Sequence, residues 1–446
     1  MPTVCRILQI GDLHLPDWQE KEVALDVKDG AFSKKITRDL RPARIRNILK
    51  RIHELSTSGD VDCIAVMGDL TSMGKQEYIS PAIEILDSLT RDISGKRPPI
   101  VCVPGNHDVN KDEALRLGKN GKFSKLANEA QSVDWVTIPI DEVVRHRIGG
   151  TENGIDAILC NSSVGSWSPH MLPQGLAEKF ETTELELPPI AASASEDYAV
   201  GEANVEGEAE SRSEQLFQQL DTPYFSRRTL ETLADSFSDS ESTSCILIAH
   251  HNILPQRTPR ILAYGEMLNA GHVRQFLMES ERNIVYLHGH IHEDPIEVIS
   301  SPAPGSSGFA KATIVSISAP KIEDGFNEVT VFLTDANEIY LVRVAKFRPN
   351  SSNAVGNYSD QEVTYIPMGM NPAELLSSAT RKLWQIVREM KRVNWHELNE
   401  RPEISGMPEA DIEESLMRLF CARMVRIDQL GRSKTKWSIE AMADVN

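Results

Sequence analysis

The segment IVYLHGHIHED, residues 284–294, places His288, His290 and His292 at alternate positions directly after an apolar run. In an extended chain a spacing of two puts side chains on one side. The three imidazoles therefore either crowd together or lie in a solvated loop. The rest of the chain bears on the choice, because other short apolar runs also end in residues that bind cations or move protons. One ends in Asp12 and His14, another in Asp69, a third in Asn106, His107 and Asp108, and a fourth in His250 and His251. Asp12 and His14 share the spacing of two, and the Asp69 carboxylate is able to bridge two cations. Oxygen and imidazole donors together suit Mn, Fe, Zn or similar divalent ions better than Ca, and the lack of thiolates among them argues against a structural zinc site.

Elements that could bring these residues together are legible in the same runs. VCRILQIGDLH, DCIAVMGDL, PPIVCVPGNHD, DAILCNSS, SCILIAHH and NIVYLHGHIH are continuously apolar rather than alternating, as strands covered on both faces are. Helical patterns lie between them at 43–55 and 79–93, which predicts an α/β layered protein. In parallel α/β sheets, ligands gather outside the carboxyl ends of the strands, where residues distant in sequence converge. Further on, NEVTVFLTD and NEIYLVRVAKF meet near Ala336 as a hairpin that extends or closes a second sheet. A Pro, Asn, Ser and Gly-rich loop near Arg348 then marks a boundary. Beyond Pro372 come three helical patterns and two short strands around Gly431, an order that resembles a winged helix domain. The expected organisation is a main domain at 1–346, a linker at 347–371 and a winged-helix-like domain at 372–446.

The chain has 446 residues, 40% hydrophobic and 25% charged, with a formal net charge of −18. Such acidity argues against coating nucleic acid by general electrostatics. Much of it is local: residues 186–214 are rich in Glu, Ala and Ser and read as a flexible acidic insertion. The six cysteines form no CxxC pair and read as buried free thiols. No run is of membrane-spanning length and the start lacks a basic, then apolar, leader pattern, so a cytoplasmic protein without a membrane partner is expected.

In order, GDLH, GDLTSMG, GNHD, AHH and HGHIH resemble the signature of the calcineurin-like metallophosphoesterases, DxH, GD, GNH[DE], H and GHxH, over roughly residues 5–345. The resemblance implies a layered β-sandwich flanked by helices and a dinuclear centre. One metal would be held by Asp12, His14, Asp69 and His292, and the second by Asp69, Asn106, His250 and His290. It also implies Mn first, with Fe, Zn or Ni as alternatives. Two such ions clamp a phosphoester and supply hydroxide for in-line attack. His107 would protonate the leaving oxygen or stabilise charge, with Asp108 orienting its ring.

GDLTSMG lacks the Arg, and GNHD the Glu, of the phosphoprotein phosphatases. The motifs look more like the branch containing bacterial cyclic nucleotide phosphodiesterases, so cleavage of a nucleotide-type phosphodiester is the first expectation. A nuclease acting on DNA or RNA with a partner protein is the alternative. A scaffold that retained the fold without the reaction would lack some of these residues. In the C-terminal domain, Glu409, Asp411, Glu413 and Glu414 open the third helix and would repel phosphate, which favours protein contact or self-association over nucleic acid. Lys34, Lys35, Arg38, Arg41, Arg44 and Arg46 are read as a solvated helix face rather than a strand-binding track. His251 is set aside as a neighbour of a ligand, His288 as structural, and His53, His146, His170, His272 and His396 as ordinary histidines.

Overall fold

The computed structural model describes residues 3–15, 34–72, 74–90, 97–110, 114, 120–140, 143–150, 154–166, 223–240, 242–255, 267–292, 294–301, 312–349 and 362–442, the side chains of 3, 34–44 and 120 excepted. The acidic insertion at 186–214 lies outside these residues, as do the side chains of Lys34, Lys35, Arg38, Arg41 and Arg44. Among the described residues no helix is long and apolar enough to cross a membrane.

The elements run β1 (Thr3–Ile10), α1 (Lys34–Thr57), β2 (Cys63–Val66), α2 (Ile79–Asp87), β3 (Ile100–Cys102), α3 (Ser124–Gln131), β4 (Val144–Gly149), β5 (Gly154–Leu159), α4 (Arg227–Ser238), β6 (Ser244–Ile248), α5 (Ala270–Glu279), β7 (Asn283–His288), β8 (Ile296–Ser300) and β9 (Thr313–Ser318). There follow β10 (Phe326–Leu333), β11 (Ile339–Phe347), β12 (Glu362–Pro367), α6 (Pro372–Leu375), α7 (Ser378–Met390), β13 (Arg392–Asn394), α8 (Trp395–Asn399), α9 (Glu409–Cys421), β14 (Val425–Asp428) and β15 (Ser438–Ala441). All six apolar runs singled out in the sequence are strands.

Two six-stranded sheets form, ordered β12-β11-β10-β1-β2-β3 and β4-β5-β6-β7-β9-β8. Alternation along each strand splits its side chains between two cores. Ile7, Ala65 and Val101 of the first sheet meet Ala157, Ile246 and Val285 of the second in a shared interior. Leu8 and Ile10 face the other way, onto Ile48 and Ile52 of α1 and Ile83 and Leu86 of α2. The second sheet turns Cys245 and Leu247 outward onto Leu233 and Phe237 of α4 and Val273 and Leu277 of α5. Burial on both faces is the physical reason the strands read as continuously apolar.

β1, β2 and β3 are mutually parallel, as are β5, β6, β7 and β9. Their carboxyl ends therefore point to one edge of the sandwich. The hairpin predicted around Ala336 is β10 and β11, and it joins the first sheet because β10 pairs antiparallel with β1. Within the stretch expected as linker, 362–367 is instead strand β12, an edge strand paired with β11. The helix expected over 79–93 ends at Asp87, where Ser88, Leu89 and Thr90 turn back onto carbonyls of the last turn.

The C-terminal residues form a small unit, with α7 packed on α9 and a three-stranded antiparallel sheet ordered β13-β15-β14. It covers the part of the first sheet that α1–α3 leave open. Leu416, Leu419 and Leu383 share a core with Tyr340 and Leu341 of β11, and the Arg418 guanidinium lies 5.3 Å from the Tyr340 ring centre. Leu416, Met417, Arg418 and Leu419 are buried in succession, so α9 is enclosed on every side over that turn. Leu416→Ala is expected to lower stability by roughly 2–5 kcal/mol through transfer and cavity costs. Urea unfolding of the full chain measures this, and a loss well below that range would mean that the interface relaxes around the cavity.

Candidate metal centre

Five of the seven parallel strands hand over to a sharp turn that carries side chains able to bind a cation or move a proton. Asp12 and His14 follow β1, Asp69 follows β2, Asn106 and His107 follow β3, His250 and His251 follow β6, and His290 and His292 follow β7. His14, Asp69, His290 and His292 have φ of 47°, 50°, 66° and 56°. Left-handed backbone is costly for residues with a Cβ and persists where surrounding contacts over-determine it. Four such residues in one place mark a site whose geometry is imposed.

Glycines let these turns approach one another. A Cβ on Gly105 would lie 2.0 Å from Asp69 Oδ1, and one on Gly289 would lie 2.5 Å from Asp12 Oδ1. The space is used by main-chain donors. The His107 N–H donates to Asp69 Oδ1 at 2.8 Å, and the His290 N–H donates to Asp12 Oδ2 at 3.1 Å.

Donor atoms then gather at two neighbouring points. At the first, His292 Nε2 lies 2.9 Å from Asp12 Oδ2 and 3.1 Å from His14 Nε2, which itself lies 3.9 Å from Asp69 Oδ2. At the second, His250 Nε2 lies 3.3 Å from Asp69 Oδ2 and 3.0 Å from Asn106 Oδ1. Asp69 Oδ2 therefore stands between the two points. His250 Nδ1 lies 2.5 Å from the Met67 carbonyl, and a carbonyl only accepts, so Nδ1 carries the proton and Nε2 presents its lone pair or a second proton. That tautomer is the one a metal-binding imidazole needs. Nitrogen and oxygen lone pairs that face each other at 3 Å repel unless a proton or a cation sits between them. The donor set thus fits divalent cations at both points.

Charge follows the same geometry. Burial pushes the Asp69 carboxyl up, yet His250, then His107, hold it well below the usual carboxylate range. Burial also works against Asp12, and His292, then His250, bring it below its ordinary value. The His250 imidazole is pushed down by burial but raised to about 10 by Asp69 and then Asp12. His14 is lowered to about 4, by burial and then by the charge of His107.

All nine residues expected at the site are at this edge of the sandwich. Asp12, Asp69, Asn106, His250 and His290 are buried, whereas His14 and His292 are 14% and 27% exposed and His107 is half-buried. The site is closed below and open on the side of His14, His107 and His292. The His14 and His107 ring centres are 4.9 Å apart on that open side. Asp108 departs from expectation. Its Oδ1 accepts from the Leu70 and Thr71 N–H groups and its Oδ2 from the Gly105 N–H, so it ties the Asn106 turn to the Asp69 turn rather than orienting the His107 ring. Burial, then Asp69, raises it to about 7.

His251 is a residue that sequence reasoning set aside. It is buried, and its ring nitrogen, with those of His250 and His290, falls in a group of donor atoms within 4.8 Å of one another. Ser162, from the turn after β5, fixes the ring at 2.9 Å from Nδ1. The signal was available in the doubled histidine of AHH and the polar end of DAILCNSS. His288 Nε2 meets Ser316 Oγ at 3.1 Å, away from the donor clusters, as a structural histidine would.

Residues 5–294 match the family described as calcineurin-like phosphoesterase. No curated protein matches the chain. Among similar solved structures, a dimetal phosphatase from Danio rerio is 13% identical, with a TM-score of 0.46, over 83% of this chain and 100% of that one. The calcineurin-like phosphoesterase YfkN from Bacillus subtilis is 11% identical, with a TM-score of 0.32, over 93% and 100%. An NAD nucleotidase from Haemophilus influenzae is 9% identical, with a TM-score of 0.38, over 88% of this chain and 63% of that one.

Two outcomes are expected. Gly105→Ala displaces Asp69, so metal content measured by mass spectrometry should fall below that of the parent protein while the circular dichroism spectrum is retained; full metal content would contradict the close approach. In metal-stripped protein, His250 is raised above its ordinary value of 6.5, so its pairing with Asp69 stabilises fully below pH 6.5 and is lost as pH rises through about 10. The urea midpoint of that form should fall across this window. Metal uptake within the window should release a proton, seen as a dependence of the calorimetric heat on buffer ionisation enthalpy.

Proposed function

Because this chain belongs to the calcineurin-like phosphoesterase family, we propose that it is a dinuclear metal-dependent phosphodiesterase that cleaves a nucleotide-type phosphodiester. The observation that carries the reading is the position of Asp69 Oδ2 between two donor clusters, 3.3 Å from His250 Nε2 and 3.9 Å from His14 Nε2. In this reading Asp12, His14, Asp69 and His292 hold one divalent ion, and Asp69, Asn106, His250 and His290 hold the other. Mn is the first choice, on the mixed oxygen and imidazole donors. Bound there, such a pair of ions would supply neutralisation of phosphoester charge and a water acidic enough to serve as nucleophile near neutral pH.

The chain's own groups supply the rest. The His107 N–H holds Asp69 by one oxygen, which leaves the other directed at the shared position. In this reading the His107 ring gives a proton to the departing alkoxide oxygen, a role supported by its position on the open side next to His14. A cleft of about 800 Å³ adjoins His292 and is lined by apolar Ile296, Val298 and Ile366 with polar Lys346, Glu362 and Thr364. Its size lies in the range that holds a small organic ligand, which supports a substrate carrying a second substituent on phosphorus. Asp294 and Glu362 on its walls weigh against a polyanionic strand.

The same reading takes 1–346 as the catalytic domain and 372–446 as a winged-helix-like module. Support for the latter is the grouping of four helices, α6–α9, with three antiparallel strands. Burial of α9 against β11 favours contact with the catalytic domain itself over entry into a nucleic-acid groove. Lys434 at 3.0 and 2.8 Å from Glu409 and Glu413 occupies the acidic start of that helix. Six buried free cysteines are consistent with a reducing, cytoplasmic setting.

With Mn²⁺ added, the protein should hydrolyse bis(p-nitrophenyl) phosphate in preference to p-nitrophenyl phosphate. Asp69→Ala should abolish turnover, and His107→Ala should lower kcat by about 10²–10⁴-fold with metal content unchanged. Preference for the monoester would overturn the diesterase reading, and faster turnover of single-stranded DNA than of cyclic nucleotides would move it to a nuclease.

A further inference from the structure

The loop of residues 288–294 carries two left-handed histidines, His290 and His292, and its two ends are joined by a chain of hydrogen bonds through the opposite sheet. At the entry end, the His288 carbonyl accepts from Gln9 Nε2 at 3.2 Å. Gln9 is fully buried on β1, on the apolar face that meets the second sheet, a position whose polarity needs a reason. Its Oε1 accepts from Asn327 Nδ2 at 2.9 Å, and Asn327, buried on β10, takes 2.7 Å from Arg348 Nη2 on its own Oδ1. The same Nη2 donates to Asp294 Oδ2 at 2.7 Å, with Arg348 Nε at 3.3 Å. Asp294 is the exit end of the loop. Arg348 Nη1 is fixed in turn by the Phe326 and Phe347 carbonyls at 2.6 and 3.1 Å.

We propose that Gln9, Asn327, Arg348 and Asp294 form a bracket that holds His290 and His292 in their left-handed geometry, with Arg348 as the principal positioning residue. The inference rests on the reading of those two histidines as metal ligands. Gln9 and Asp294 lie within the 5–294 segment matched by the family, whereas Asn327 and Arg348 lie outside it, so that half of the bracket is supplied from beyond that segment. A planar guanidinium with several fixed donors suits the task, because it can hold a carboxylate, an amide and two carbonyls in one plane-defined arrangement. Lys346 Nζ, 3.3 Å from Asp294, adds charge but carries no comparable fork.

The test uses the full-length protein as Arg348→Met, Arg348→Lys and Asp294→Asn. Backbone amide exchange is followed in the metal-stripped form, and Mn²⁺ affinity by calorimetry. Arg348→Met should speed exchange at residues 289–292 selectively and weaken Mn²⁺ binding about tenfold, the low end for a residue that supports metal ligands. Arg348→Lys should restore part of both. A merely structural Arg348 would instead lower the melting temperature, with exchange raised across β10 and β11 and Mn²⁺ affinity unchanged, and that result overturns the proposal. Should Arg348→Met fail to fold, Asp294→Asn decides, since its side chain is 36% exposed and only its ion pairs with Arg348 and Lys346 are lost. A parent protein that takes up no Mn²⁺ refutes the metal-centre reading, while the exchange comparison still decides the bracket.

Discussion

Asp12 and Asp69 are ionised carboxylates at 2% and 1% exposure, at the edge where two apolar sheets meet. A charge so placed is tolerated only with nearly complete compensation by hydrogen bonds and counter-charge. The turns after the parallel strands supply it. Main-chain N–H groups of His107 and His290 take one part, the imidazoles of His250 and His292 another. Most features of the edge serve this compensation, from the glycines that permit contact to the left-handed residues that aim the rings.

That dependence explains why strain and rigidity coexist there. His14, Asp69, His290 and His292 occupy a backbone region that each would leave if isolated. Asp108 ties the β2 and β3 turns through three main-chain donors, and Ser162 pins His251 beside His250 and His290. Asp108 and Ser162 are buried and polar within an apolar interior, and their side-chain oxygens are hydrogen-bonded, so they add specificity of position rather than an unmatched desolvation cost.

The C-terminal unit answers a different demand. A six-stranded sheet has two faces to cover, and α1–α3 cover one part of the outer face of the first sheet. α9 and its neighbours cover the part around Tyr340 and Leu341, which is why a helix that opens with Glu409, Asp411 and Glu413 is nevertheless buried from Leu416 to Leu419. Its apolar residues are spent on the sheet.

Period, apolarity and residue type were enough to read the strands and the residues at their ends, because doubly covered parallel strands leave a continuous apolar run and the turns beyond them are where polar groups can gather. The hairpin at Ala336 was legible for the same local reason. β12 was not: its side chains are mostly half-buried at an edge, and pairing with β11 rather than its own composition makes it a strand. Nor could local sequence reveal that Asp108 serves main-chain donors from two other turns, that His251 reaches the centre through a hydroxyl 89 positions away, or that Gln9 links by way of Asn327 and Arg348 to Asp294. The sequence by itself determined which residue types stand at the ends of which strands. Tertiary structure decided which of them meet, because turns that are remote along the chain are brought side by side by sheet order and strand direction.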